Sequence, residues 1–441
     1  MSAAARTFDD NRSVWTVGTA PDEPAPALTG DLTVDVAIIG GGFTGVSTAY
    51  HLGRQNPGLG IALFEARALG NGASGRSGGM MLTGIRPDPD TDTAVREHEL
   101  TRAAIDDLMG LIAEHHLPVR HRRAGSLKVT TSQQAAEATH AETERLAARG
   151  VPVRFLPAAE LGDLLRARGA TGAVFDRSEG VLNGVDLIRA MKPLLLAQGV
   201  QIFEGTAVTR VRPGEVVELE TRGGTVRARA VVLATNGYTP RLGFFKTGIL
   251  PVISHVVATD PLTEEERVRT FGTATAFSDD LPRLAYASID FDGRLVFGGG
   301  SNSSYGYQFG NRTASVARPD DRHARALRRT LGGYFPELAG VGFQHRWSGP
   351  LGVTLARHCG IGVMGPHSNI YYALGYSGHG IVLGNLAGRV LCDLYAGNHD
   401  RWRDYCFYNY RPRGIPPEPM RWFGYHIYTR MTGRSAFKRL D

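Results

Sequence analysis

The sequence predicts a mixed α/β (α+β) fold. One domain, built on a parallel sheet, is assembled from three separated segments, and an antiparallel-sheet domain is inserted into it twice. Three observations carry this prediction. Residues 34–66 run strand, glycine turn, helix and strand within about thirty residues, the length of one βαβ unit. Residues 200–237 show short alternating apolar runs separated by turns. Residues 367–397 repeat the order of strand, glycine-rich turn and apolar helix. At 441 residues the chain exceeds one usual core. The pattern assigns 1–95, 180–240 and 346–400 to the first domain, 96–179 and 241–345 to the second, and 401–441 to a C-terminal segment packed on the body.

"VDVAIIG" (34–40) is β-branched and bounded by glycine, which suits a strand buried on both faces. In "FTGVSTAYHLGR" Gly45 and Ala49 stand four apart, so one helix face can lie tight against the sheet. "GIALFEA" (60–66) reads as a second buried strand. From 92 to 179 the pattern turns to polar helices, most clearly at 132–149, with "GSLKVTT" (125–131) as a strand before them. Residues 200–237 suggest a three-stranded meander closing on a buried strand. Residues 241–345 mix strands such as "VISHVVATD" and "RLVFGGG" with a basic helix near 320–333. The last helix presents Leu383, Leu386, Val390, Leu391 and Leu394 as an apolar face.

Composition removes several function classes. Hydrophobic residues at 42% and charged residues at 21% describe an ordinary globular chain, not a disordered one. The first residues carry no apolar h-region and no apolar run reaches the length of a span, so a cytoplasmic protein without membrane insertion is expected. Cys359, Cys392 and Cys406 have no CxxC or Cys/His spacing, which argues against a disulfide framework and against a metal site. Net charge is +6; from Arg401 onward nine Lys/Arg face three Asp/Glu, and the rest is balanced at 40 against 40. That tail is read as packing its aromatics on the body and solvating its arginines, with no nucleic-acid partner. The sequence specifies no oligomeric state.

Glycine, 56 of 441 residues, is clustered where backbone must approach something closely. In "GGGFTG", Gly40 makes the tight turn, Gly42 admits a pyrophosphate to bare backbone and Gly45 permits close helix packing. Phosphate charge then rests on the helix start at Phe43 and Thr44. Glu65, 20 residues beyond Gly45 and followed by Ala66 and Arg67, is placed to accept ribose hydroxyls. A dinucleotide site follows. "TVRARAVVLATNG" adds Thr235, Asn236 and Gly237 at a strand end, and Val208 can offer its backbone to an adenine.

"GNGASGRSGG" (70–79) and "GYSGHG" (375–380), with "SVW" (13–15), "ATNGYTP" (234–240), "DGRLVFGGG" (292–300) and "HSNIYYALGYSGHG" (367–380), make the chain resemble the D-amino-acid-oxidase (DAO) superfamily of FAD enzymes. It is most similar to the amine-oxidising branch of gamma-glutamylputrescine oxidase and, more distantly, of monomeric sarcosine oxidase and glycine oxidase. The resemblance implies a Rossmann-like FAD-binding domain with an inserted antiparallel-sheet substrate domain, a glutathione-reductase-type architecture. It implies oxidation of a C–N bond of a small or medium amine or amino acid by hydride transfer to flavin, hydrolysis of the imine, and reoxidation by dioxygen to hydrogen peroxide.

The same resemblance assigns Gly72, Ala73, Ser74, Arg76, Ser77, Gly78, Gly79 and Met80 to a loop against the flavin and pyrophosphate. Gly375, Tyr376, Ser377, Gly378, His379, Gly380 and Ile381 fall at the pyrimidine, with Trp347 and Gly349 counted among the cofactor contacts. The chain departs from the family pattern at Ser77, where asparagine is usual, and at Met80 and Met81, where a polar residue follows the glycines. Arg76 takes the position of a histidine that carries covalent flavin in some relatives, and Gly349 or Pro350 that of a cysteine, so FAD is expected to be noncovalent. Candidate catalytic residues are His255, Tyr286, Tyr307 and Arg346, with Tyr305 and Trp347 nearby. Arg346 and Arg312 are the arginines for a substrate carboxylate. Alternatives are a flavin amine dehydrogenase with another electron acceptor and a noncatalytic flavin-binding subunit.

Overall fold

Two large sheets organise the chain in the computed structural model, which describes residues 11–19, 22–87, 89–307, 309–310 and 319–432. Arg312 lies outside the described residues. The first sheet has eight strands. Its parallel core runs Gln201–Phe203, Ile61–Phe64, Leu32–Ile39, Thr225–Leu233 and Ile370–Leu374 in spatial order. Ile61–Phe64 and Ile370–Leu374 are buried at every residue, as strands covered on both faces must be. The expected meander is the antiparallel set Arg210–Arg212, Val217–Glu220 and Thr225–Leu233, while Gln201–Phe203 leaves for the opposite edge.

Helices Phe43–Gln55 and Gly380–Tyr395 pack side by side through small residues. A Cβ on Gly388 would stand 2.2 Å from Ser47 Oγ, so only glycine allows the approach. Because the core strands are parallel, the loops after Leu32–Ile39, Thr225–Leu233 and Ile370–Leu374 converge on one edge. Asn236 Oδ1 accepts a 2.8 Å bond from Gly375 N and locks two of these loops together.

The second sheet has nine strands, in the order Tyr305–Tyr307, Leu250–Pro261, Arg294–Gly299, Ala285–Ile289, Ala276–Asp279, Ser126–Thr130, Gly172–Asp176 and Val153–Pro157. Phe343–Val353 pairs along Leu250–Pro261. All pairs are antiparallel except Ala276–Asp279 with Ser126–Thr130. The boundary drawn at 346 falls inside Phe343–Val353, whose register with Leu250–Pro261 keeps it in this sheet to Val353. One face packs into a core that includes Leu127, Val129, Phe277 and Ala287, together with Leu327 and Leu331 of helix Asp321–Tyr334. Alternation turns Ser126, Lys128, Ser278 and Tyr286 to the other face.

The N-terminal segment is a staple. Asn11 exchanges two 2.8 Å bonds with the Ser348 backbone, Trp15 Nε1 donates to Ser77 O at 2.7 Å, and Asn183 Nδ2 donates to Trp15 O at 3.0 Å. At the other terminus Trp402, Phe407 and Ile415 are buried. Helix Met420–Thr432 differs from the expected packed tail, leaving Met420, Phe423, Ile427, Tyr428 and Met431 exposed.

Candidate active site

The glycine turn is held by backbone geometry that side chains would destroy. Gly40 has φ +110°, and a Cβ there would meet Ala234 O at 2.8 Å. A Cβ on Gly45 would lie 1.8 Å from Gly40 O, so this glycine serves packing and does not line the site. Glu65 is fixed by Gly41 N at 2.9 Å and Arg67 N at 3.0 Å; burial nevertheless raises its pKa. Helix Phe43–Gln55 starts at Gly42 with no side-chain cap from that residue, although Phe43 N reaches Ser74 Oγ at 3.1 Å. Helix Gly380–Tyr395 starts at His379, also without a side-chain cap. Two helix N-termini therefore offer N–H groups and positive dipole ends to one space.

That space is a continuous cavity of about 1140 Å³. At one end lie Gly40, Gly42, Phe43, Thr44, Glu65, Ala66, Arg67, Val208, Thr235 and Asn236. Its middle is walled by Gly72, Ala73, Ser74, Arg76, Ser77, Gly78, Met80, Gly349, Tyr376, Ser377, Gly378, His379, Gly380 and Ile381. Gly79, Gly237, Trp347 and Gly375 support that wall from behind. Trp347 Nε1 donates to Arg76 O at 3.0 Å, and a Cβ on Gly79 would meet Trp15 at 2.5 Å. Tyr376 OH and Thr44 Oγ1 are 2.6 Å apart, joining the two helix starts.

Of the four predicted catalytic residues, only Tyr286 lines the cavity. Its ring is confined by two glycines, since a Cβ on Gly78 or Gly298 would come within 2.9 Å or 2.3 Å of it. Its hydroxyl pairs with Ser254 Oγ at 3.0 Å, and burial pushes its pKa up to about 12. Tyr305 lines the cavity too, its hydroxyl donating to Leu284 O at 2.8 Å.

The other three do not line the cavity, two because of strand register and one because the C-terminal segment covers it. Ser254 pairs with Gly349 and both face the cavity; His255 pairs with Ser348 and both turn away. His255 Nδ1 is 2.7 Å from Ser348 Oγ, and its ring packs against that of His323 with centroids 3.9 Å apart and planes tilted by 40°. Burial and His323 lower its pKa to about 4. Arg346 is one step further along that outward face, paired with Asp321 at 2.7 Å. Tyr307 hydrogen-bonds Glu418 and lies 5.6 Å from the Tyr425 ring, covered by the C-terminal segment.

Sequence reasoning missed the polar far end. Thr83, His98, Ser126, Lys128, Asp176 and Glu179 all line it. Glu179 accepts from Thr83 N at 2.7 Å, Thr83 Oγ1 at 2.9 Å and Ser126 Oγ. Burial, then Asp176, raises its pKa. Asp176 accepts from Ser178 N and Thr83 Oγ1, both at 2.8 Å, and lies 2.9 Å from His98 Nε2. The bonds from His98, Ser178 and Thr83 outweigh burial and hold its pKa down. His379 is kept neutral: burial first, then the positive charges of Lys128 and Arg357, lower its pKa to about 4.

A dinucleotide fits these residues: a bare glycine cradle, the Glu65 carboxylate, two helix starts and a small-residue loop share one cavity. The fold and site define a dinucleotide-dependent oxidoreductase. The family model for FAD-dependent oxidoreductases of the DAO type matches residues 35–394, and the chain belongs to that family. FAD is its cofactor.

Among curated relatives, gamma-glutamylputrescine oxidoreductase of Escherichia coli K12 is 28% identical over 391 residues, covering 86% of this chain and 87% of that protein. Glycine oxidase of Geobacillus kaustophilus is 26% identical over 383 residues, 82% and 92% of the two chains. The crystal structure of glycine oxidase from the same organism superposes with a TM-score of 0.72 at 22% identity, covering 87% of this chain and all of that one, and shows the shared fold. Among the described residues no helix is long and apolar enough to cross a membrane, and no group of His, Cys, Asp or Glu is arranged to hold a metal ion.

Proposed function

We propose that the chain oxidises a C–N bond of a small or medium amine or amino acid, with dioxygen as electron acceptor and hydrogen peroxide as product. The observation that carries this reading is the continuity of the cavity, which joins the glycine cradle to a pocket walled by side chains. Relatives named for gamma-glutamylputrescine and glycine support the amine class. FAD supplies a hydride acceptor: the C–H bond beside nitrogen breaks as the nitrogen lone pair forms C=N, and water then converts the imine to a carbonyl and an amine.

The chain's own contribution is to bind, orient and exclude water. Tyr286, neutral throughout the physiological range, forms a wall between Gly78 and Gly298 and shares a hydrogen bond with the Ser254 hydroxyl. His379, also neutral, adds no positive charge beside a bound amine. The uncapped N–H groups at Gly380 and Ile381 favour negative charge at the adjacent cavity wall. FAD is held noncovalently, since Gly349 and Pro350 offer no nucleophile and Cys359 is fully buried in the core.

The test is anaerobic mixing of the flavin-loaded protein with N-methyl amino acids, glycine, D-amino acids, polyamines and cyclic amines. Bleaching of the oxidised flavin by one class, with colour and peroxide appearing on admission of air, is the expected outcome. Bleaching that air does not reverse but an artificial acceptor does would make the chain a dehydrogenase, and no bleaching by any amine overturns the reading. Acid precipitation should leave the flavin colour in the supernatant; colour in the pellet contradicts noncovalent binding.

A further inference from the structure

We propose that helix Met420–Thr432 is a docking surface for an anionic lipid bilayer, and that the chain binds such a membrane peripherally through it. The inference is independent of the reaction assigned to the cavity. A helix on a protein surface ordinarily buries its apolar stripe and solvates its polar one; this helix does the reverse. Arg421, Tyr425 and Thr429, spaced four apart, face the body. Arg421 Nε donates to Pro416 O at 2.9 Å, the Tyr425 ring lies 5.6 Å from that of Tyr307, and Thr429 O accepts from Asn302 Nδ2 at 3.0 Å. Met420, Phe423, Ile427 and Met431, spaced three and four apart, take the opposite face with Tyr428 beside them, each between 57% and 78% exposed. Five of the eleven exposed large apolar side chains among the described residues therefore stand on one helix face. Scattered singly they would need no explanation; gathered in a row they mark a surface that something covers.

Charge names the occupant. No acidic residue lies between Met420 and Thr432, and exposed Arg430 borders the apolar row. From Arg401 onward nine Lys/Arg face three Asp/Glu while the rest of the chain is balanced, so the whole +6 net charge sits in the segment that carries this helix. A second copy of the chain is disfavoured, because a symmetric pair would set two such positive segments face to face. A soluble acidic partner would answer the charge, but the exposed row is the outer side of a single surface helix. A ridge of Met, Phe and Ile edged by Arg430, Trp422 and Tyr428 is the form that sinks to headgroup depth, where anionic lipid supplies both the countercharge and the apolar layer. The helix also lies beside the substrate end of the cavity. Arg283, whose guanidinium is 5.7 Å from the Tyr428 ring, precedes Leu284, and Tyr307 follows Tyr305 by two residues. Leu284 and Tyr305 line the cavity, so docking brings that edge of it to the lipid surface.

The experiment floats full-length, flavin-loaded protein with vesicles of phosphatidylcholine alone or mixed equally with phosphatidylglycerol, and follows the flavin colour. Wild-type protein is expected to bind the mixed vesicles roughly tenfold or more tightly than the neutral ones, with the preference shrinking at high salt. The triple variant Phe423→Ser, Ile427→Ser, Met431→Ser should lose that binding by a similar factor with FAD content and melting temperature unchanged, since its side chains point outward. Arg430→Glu should weaken binding to the mixed vesicles and leave binding to the neutral ones as it was. Should the triple variant lose its flavin, Ile427→Asp alone carries the same test. Flotation with neither vesicle, equal binding to both, or a triple variant that binds like wild type overturns the proposal. Two further outcomes overturn it in favour of another occupant. Concentration-dependent self-association that the triple variant abolishes, without vesicle binding, gives the face to a second copy. Binding to polyglutamate but not to the mixed vesicles gives it to an acidic protein.

Discussion

The two ends of the cavity are built on opposite plans. Near Gly40 the parallel sheet meets the cavity with its strand termini, so much of the wall is backbone and helix N-termini supplied by short loops. At the far end the mixed sheet meets it with a face, so every second residue of several strands is a wall and its neighbour is core. The first plan tolerates almost no side chain and leaves little freedom for specificity. The second lets one substitution on the cavity face change the pocket while the core beneath stays intact.

The largest break in this contrast should come from Gly45→Val. Its side chain would collide with Gly40 O, and FAD affinity is expected to fall by a hundredfold or more, about 3 kcal/mol, in a flavin titration of the apoprotein. Retention of tight FAD binding would mean that the turn can yield.

Next is a pH-dependent stability effect from beneath the substrate wall. Asp279 is fully buried and accepts bonds from Tyr334 OH and from Ala285 N at 2.9 Å, yet burial raises its pKa from 3.8 to about 7. Between those values the folded state holds a proton that the unfolded chain has lost, so this group's contribution to stability falls as pH rises from about 4 to 7. Asp279→Asn keeps the shape without the charge. It should raise the free energy of unfolding at pH 8 by an amount on the order of a few kcal/mol, read in denaturant titrations, with the gain vanishing below pH 4. A gain of the same size at every pH would remove the carboxyl from the account.

Smaller still, Tyr286→Phe loses only the Ser254 bond, so the rate of flavin reduction by the best amine should fall about tenfold or less. Tyr286→Ala should cost distinctly more, because it empties the space between Gly78 and Gly298. Smallest are Arg346→Ala and Tyr307→Phe, expected to leave kcat/KM within about twofold because neither side chain reaches the cavity. A larger loss with either variant would show that the outward face takes part in turnover.

What was legible in the sequence follows the same division. The cradle could be read because its chemistry needs fixed spacings within one short stretch, Gly40 to Glu65, and local spacing survives folding unchanged. The far wall draws on residues 83, 98, 126, 128, 176 and 179, which come from two strands, a helix and two loops and meet only in the folded chain. Parity decides the case along Leu250–Pro261: one step separates Ser254, in the cavity, from His255, packed against His323. Tyr305 and Tyr307 defeated even parity, because Glu418, more than a hundred residues away, covers one and not the other. Lys128 did leave a local signal: in "GSLKVTT" it stands between two apolar residues and so faces away from the core.

The bond between Asn11 and Ser348 spans 337 residues of sequence and ties together two segments that both reach the loop walling the cavity. Trp15 and Trp347 reach that loop from the same two segments, at Ser77 and Arg76. During synthesis the nucleotide cradle has all its consecutive residues early, but the loop cannot be clamped until the chain has emerged past Ser348. A nascent chain shorter than this carries a cradle without its cover. The contacts that fix this loop are therefore among the last that the chain can complete as it is synthesised.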